Sequence, residues 1–343
     1  MVSRRILLGS ALAAPAILRP AAVRAQEVTL RLHHFLPAVS NVHRHFLQPW
    51  AQKVQAESGG RLRVQIFPSM QLGGAPPQLY DQARDGVVDI AWTLPGNTPG
   101  RFPKIEVFEL PFVANKLGVP NAKAVQEFYE KQMRDEFREV HPICVWGHDG
   151  GLIHANRPVR TMEDMAGLKL RFPTRQNGEA LRALGAAPIG MPVPQVPEAL
   201  SQRAIDGAVV PWEVVPSIRL HELVRNHTDI PGSPTLYIAT FILAMNRAKY
   251  EALSPEAKRV LDANSGQVAA EMAGKVWDEQ GPVVLEQVRR RNNTLITLSP
   301  EEVQRWRRAT QPVVDNWVNA TPNGGALLEE ARALVAKYGQ APA

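Results

Sequence analysis

The sequence predicts an α/β protein built as two lobes, and three observations carry that expectation. Period-2 strands alternate with amphipathic helices between residues 28 and 92, and the same grammar resumes after Arg171. The 318 residues that follow a 25-residue leader in this 343-residue chain also exceed what one core comfortably fills.

The leader comes first in chain order. Arg4-Arg5, the apolar run Ile6 to Leu18 and the stretch Ala21 to Ala25 read as a secretory signal peptide over residues 1–25. The run is 13 residues long, short of the ~18–20 that cross a bilayer. Val23-Arg24-Ala25 supplies small residues for cleavage before Gln26. Ser3-Arg4-Arg5-Ile6-Leu7 also has the look of a twin-arginine export signal. The mature chain is expected to be soluble and periplasmic.

The leader holds four arginines and no acid, so the formal charge of +6 drops by four to +2 on its removal. With so small a charge, and Arg289-Arg290-Arg291 as the longest basic run, nucleic acid is not an expected partner. Cys144 is the single cysteine, which rules out an intramolecular disulfide, and Ile143, Val145 and Trp146 around it predict a buried strand.

Val28, Leu30 and Leu32 alternate with polar residues, as do Leu62, Val64 and Ile66, giving two half-buried strands. Between them a helix is expected from Ser40-Asn41 to Gly59-Gly60, with Val42, Phe46, Trp50 and Val54 on its inner face and Pro49 kinking or delaying it. A second helix over about 76–85 feeds a strand at Val87 to Trp92. Later, 178–184 and 195–202 read as helices and Ala204 to Val210 as a strand. The last third is helical, with Ser254-Pro255-Glu256 and Ser299-Pro300-Glu301-Glu302 as helix starts.

The segment Gly167-Leu-Lys-Leu-Arg171-Phe-Pro173 carries the chemistry. Leu168 and Leu170 alternate with Lys169 and Arg171, and Pro173 ends the strand because it has no N–H for a ladder. An arginine at the end of such a strand suits a crevice that grips a carboxylate, since its planar fork matches both oxygens and never deprotonates. The alternative is an ordinary surface arginine at a strand end.

Leu32-His-His-Phe-Leu-Pro37, Gly60 to Pro68, Gln71-Leu-Gly-Gly74, Gly86-Val-Val-Asp-Ile-Ala91, Gly167 to Arg171, Ala204-Ile-Asp-Gly207 and Leu243-Ala-Met-Asn246 follow a familiar order. The chain from about 28 to 320 resembles the solute-binding proteins of TRAP transporters.

The resemblance implies a two-lobed clamshell of the type II-like periplasmic class, with a long C-terminal helix between the lobes. Lobe I would take residues 26–147 and about 238–273, and lobe II about 148–237 and 274–330, leaving 331–343 as a tail. It implies capture of a small organic acid and delivery to membrane permease subunits, without enzyme activity; no cofactor or metal is expected, and the chain is expected to be a monomer. Arg171 occupies the place of the family's carboxylate-binding arginine. Phe35, Trp92 and Val210 to Trp212 fall on other pocket positions, and Asp149 and Glu213 join them as polar candidates. A metal ion bridging Glu213 and substrate is the less favoured option.

Gly151 and Leu152 sit where binders of hydroxylated acids carry a second arginine, so an aromatic, branched-chain or 2-oxo monocarboxylate is expected rather than a sugar acid. Two rivals remain. A binding protein of an ATP-driven importer would share the grip. A periplasmic hydrolase or metal enzyme would need the histidines at 33, 34, 43 and 45, but His43 and His45 are two apart on a helix and face different ways.

Overall fold

A computed structural model describes residues 27–340. The expected leader lies outside the described residues. In chain order the elements are β1 (Val28–His33), α1 (Gln48–Glu57), β2 (Leu62–Phe67), α2 (Leu79–Arg84), β3 (Ile90–Thr93), α3 (Gly118–Phe128), β4 (Val140–Gly147) and β5 (Leu152–Ala155). Then come β6 (Lys169–Phe172), α4 (Arg175–Ala183), β7 (Ala187–Gly190), α5 (Val196–Ser201), β8 (Gly207–Val210), α6 (Leu220–Leu223), β9 (Asn226–Asp229) and β10 (Thr240–Asn246). The chain ends with α7 (Arg247–Glu251), α8 (Pro255–Ala263), α9 (Gln267–Arg290), β11 (Thr294–Thr297), α10 (Pro300–Ala320) and α11 (Gly324–Gly339).

The strands form two sheets, each the floor of one lobe. The first runs β2-β1-β3-β10-β4 and the second β11-β9-β5-β8-β6-β7. β1 pairs parallel with β2 and β3, while β10 runs antiparallel between β3 and β4. In the second sheet β6 lies parallel to both β7 and β8.

Four segments pass between the lobes. Residues 148–151 lead from β4 to β5, and 230–239 lead back from β9 to β10. α9 packs on α3 and β4 of the first lobe and on the turn Trp212–Val214 of the second, before the chain rejoins the second sheet as β11. α10 then rests on α4, and α11 returns to α3. The stretch expected as a tail is therefore largely helix: Ala331, Leu334 and Val335 are buried because α11 lays its apolar face on α3.

Several boundaries shift for local reasons. Pro49 neither breaks nor delays the helix, because the turn before it widens to a π-helix (His43–Leu47), with the Gln48 N–H donating to the His43 carbonyl. That extra residue relieves the clash between a proline ring and the carbonyl four residues back. The strand expected from Val87 starts only at Ile90, since Gly86 turns at φ +75° and Asp89 is taken up in accepting the Arg31 N–H at 2.7 Å. α4 begins at Arg175, directly after Pro173-Thr174, three residues ahead of its expected start. The two serine caps form as the sequence predicts: Ser254 accepts from Ala257 N and Ser299 from Glu302 N.

One apolar core runs through the first lobe, past α9, onto one face of the second sheet, and includes Trp50, Trp92, Trp146 and Trp277. A second cluster, around Leu170, Leu181 and Trp306, fills the other face. Cys144 is buried in β4.

Candidate functional site

The lobes meet over a small cavity of about 50 Å³. β6 brings Arg171 to it from the second lobe. Leu170 faces the core beneath the sheet, and alternation turns Arg171 to the seam between lobes, where its side chain is only 3 % exposed. Nε donates to the Met191 carbonyl at 2.9 Å and Nη1 to the Val209 carbonyl at 3.3 Å. Those bonds fix the fork but leave its charge uncompensated, for among the described residues no carboxylate pairs with it. Burial pulls its pKa down to about 10, so it remains a cation at neutral pH.

Aromatic rings form the opposite wall. Phe35 follows β1 and Trp92 lies on β3, with ring centroids 4.8 Å apart. Phe241 on β10 lies 5.7 Å from Trp92 and 5.6 Å from Trp277 on α9. Val210, at the end of β8, lines the cavity from the second lobe.

His148 and Tyr237 enter from the two inter-lobe passages. The His148 Nε2 accepts from Ala239 N at 2.8 Å, so its proton sits on Nδ1, which donates to the Asp149 carbonyl. Burial lowers its pKa to about 4, so the ring is neutral with both nitrogens committed to the backbone. Tyr237 packs so close to Gly151 that a Cβ there would lie 2.0 Å from the phenol Cζ. The space read from Gly151 as apolar and lacking an arginine is thus filled by a phenol from residue 237. Burial raises the pKa of that phenol well above its usual value, against the opposing pull of Arg171.

Glu213 also lines the cavity, 2 % exposed. Its Oε1 accepts from Val42 N at 3.1 Å, and its carbonyl accepts from Asn41 Nδ2 at 2.9 Å, so this second-lobe residue caps the first helix of the other lobe. Burial lifts its pKa to about 8, more than the Val42 bond lowers it. Near the passages Glu106 of the first lobe binds Arg175 at 2.6 Å and Gln176 at 2.7 Å, joining the lobes a second time.

Two expected site residues stand elsewhere. Trp212 is not in the cavity wall: its ring lies 5.1 Å from His154 and 5.4 Å from His227. Pro211 ends β8 and Trp212 opens a 3₁₀ turn, so as Glu213 points into the cavity the indole is rotated away. Asp149 also lies off the wall. Its Oδ1 is buried and unpartnered, and burial raises its pKa well above the usual range, against the pull of Lys116.

Behind Val210 runs a relay that spacing alone does not reveal. Asn293 Nδ2 donates to His227 Nε2 at 2.9 Å, His227 Nδ1 to His154 Nδ1 at 2.7 Å, and His154 Nε2 to the Val210 carbonyl at 3.1 Å. The carbonyl can only accept, which fixes both tautomers. His34 Nε2 likewise meets His43 Nδ1 at 2.9 Å, while His45 is exposed. Among the described residues no group of three or more His, Cys, Asp or Glu is arranged to hold a metal ion.

The chain is similar over nearly its whole length to known binding proteins. A TRAP solute-binding protein from Rhodoferax ferrireducens, crystallised with copurified benzoate, is 43% identical, covering 91% of this chain and 98% of its own, with a TM-score of 0.89. One from an unidentified marine microbe, described as specific for aromatic acid ligands and bound to 3-hydroxybenzoate, is 41% identical over 92% of this chain and 100% of its own, also at 0.89. A third, from Bordetella bronchiseptica with bound mandelate, is 28% identical over 90% and 99%, at 0.84. The pattern defining the bacterial extracellular solute-binding protein family 7, DctP, matches residues 32–320. With two sheets closing on a seam, a buried cation and that match, the chain belongs to this family, the two-lobed solute-binding proteins of TRAP transporters.

Proposed function

We propose that this protein captures a small aromatic monocarboxylate between its lobes and hands it to the membrane subunits of a TRAP transporter. The observation that carries the reading is Arg171, a buried guanidinium that no carboxylate among the described residues neutralises, facing a wall of Phe35, Trp92, Phe241 and Trp277. A ligand carboxylate would complete the fork, and a ring would stack on the wall at about 0.5–1.5 kcal/mol per aromatic pair beyond burial. The largely apolar, aromatic lining favours a ring over a polyhydroxylated sugar acid. The benzoate, 3-hydroxybenzoate and mandelate of the similar structures support the same class.

The ligand leaves unchanged in this reading. His148, the ring best placed to act as a base, has both nitrogens engaged by main-chain groups. The expected leader over 1–25 supports export to the periplasm, and its paired arginines suit a twin-arginine signal as well as an ordinary one. Residues 26–147 with about 238–273, and about 148–237 with 274–330, would move as the two lobes, in keeping with the sheet to which each strand belongs.

A thermal-shift screen of organic acids tests the function. Benzoate, hydroxybenzoates and mandelate at 100 times Kd are expected to stabilise the fold by about 2.7 kcal/mol. A rise with galactonate or galacturonate and none with the aromatic acids would overturn the ligand class.

A further inference from the structure

The carboxyl of Glu213 is half used. Oε1 is committed to Val42 N of the opposite lobe, whereas Oε2 has no partner among the described residues and is not among the atoms sealed from solvent. The side chain lines the same cavity as Arg171, too far from the guanidinium for an ion pair. A buried carboxyl oxygen left without a partner costs desolvation unless something in the cavity meets it.

We propose that Glu213 selects the ring substituent: its Oε2 hydrogen-bonds a hydroxyl carried on the aromatic ring of the acid whose carboxylate Arg171 holds. This rests on the aromatic-acid reading and narrows it to ring-hydroxylated members. Opposite Glu213 the charged substituents fit less well than a hydroxyl. A second carboxylate would meet Glu213 with no further cation, since Arg171 serves one carboxylate. An ammonium would require an ionised partner, whereas burial keeps Glu213 largely protonated at neutral pH. A neutral carboxyl both donates and accepts, and a phenolic hydroxyl does the same, so the two match in either direction. The shared carboxyl also links recognition to closure, because the oxygen beside the one bound to ligand holds the first helix of the other lobe.

Titration calorimetry at pH 7 with benzoate and the 2-, 3- and 4-hydroxybenzoates tests this on the wild type, on Glu213→Leu and on Glu213→Gln. The wild type is expected to bind its best hydroxybenzoate about tenfold tighter than benzoate, the scale of one buried hydrogen bond. Glu213→Leu should bring that ratio to within about twofold, and Glu213→Gln, which keeps a donor and an acceptor, should retain most of it. Loss of the Val42 bond weakens both ligands alike, so it cancels in the ratio. A wild type that binds benzoate as tightly as every hydroxybenzoate, or a ratio that survives in Glu213→Leu, overturns the role of Glu213 and leaves the aromatic-acid reading standing. Failure of all four acids to bind the wild type overturns both.

Discussion

Tyr237 occupies the volume that a side chain at position 151 would need: a Cβ on Gly151 would sit 2.0 Å from the phenol Cζ and 2.1 Å from its Oη. The glycine is thus a condition for the tyrosine to wall the cavity beside Arg171. Gly151→Ala should force the phenol out of place. Overpacking of this kind costs about 1–3 kcal/mol, and both the melting temperature and the affinity for the acid should fall. An alanine variant that melts and binds like the wild type would show that the ring can move aside freely.

Arg171 sets stability against function. Removing it should weaken carboxylate binding by about 2–5 kcal/mol, as when one partner of a buried charge pair is lost. Without ligand the same guanidinium is buried and uncompensated, so Arg171→Met should leave the ligand-free protein at least as stable as the wild type. Calorimetry and melts without ligand read the two halves separately. Unchanged affinity would end the assignment of Arg171 as anchor.

Glu213 predicts a pH dependence of known sign. Its folded pKa is raised to about 8 from an ordinary 4.5, so the folded state holds a proton that the unfolded chain releases. The contribution is fully present below pH 4.5 and is lost as pH climbs through 8. Melts from pH 5 to 9 should show the wild type losing stability relative to Glu213→Gln across that window. Glu109 and Glu136, both raised to about 7 by burial, titrate in both proteins and cancel in the difference. A flat difference would mean that the carboxyl is solvated in solution.

Trp212 and Trp92 should respond differently to truncation. Trp212 packs on the His154–His227 relay outside the cavity, so Trp212→Ala should lower the melting temperature while the Kd stays within about threefold. Trp92 is buried and in the wall, so Trp92→Ala should damage both, with about 3–5 kcal/mol of stability at stake. Equal losses of affinity from the two would return Trp212 to the site.

What could be read from the chain follows from which contacts are local. Arg171 was legible because strand alternation and Pro173 orient it, and Phe35, Trp92 and Val210 because each stands at or near the end of a recognisable strand. Tyr237, His148, Phe241 and Trp277 were not. They reach the cavity from the inter-lobe passages, from an antiparallel strand distant in sequence and from a helix, and their spacing there is that of any buried apolar residue. Trp212 is the exception among the positions that the resemblance implies: Pro211 ends β8 and the backbone has turned into a 3₁₀ geometry at Trp212, which points its indole elsewhere. The histidine relay was invisible for the same reason as most tertiary contacts: His154, His227 and Asn293 become neighbours only when β5, β9 and the turn between α9 and β11 assemble.

The four covalent ties between the halves have a consequence for traffic. Bodies joined at 148–151, at 230–239, by α9 and by the α10–α11 turn cannot slide past or spin about one another. They retain a single cheap movement, a gape like that of a book on its spine, so the cargo leaves by the slit through which it came.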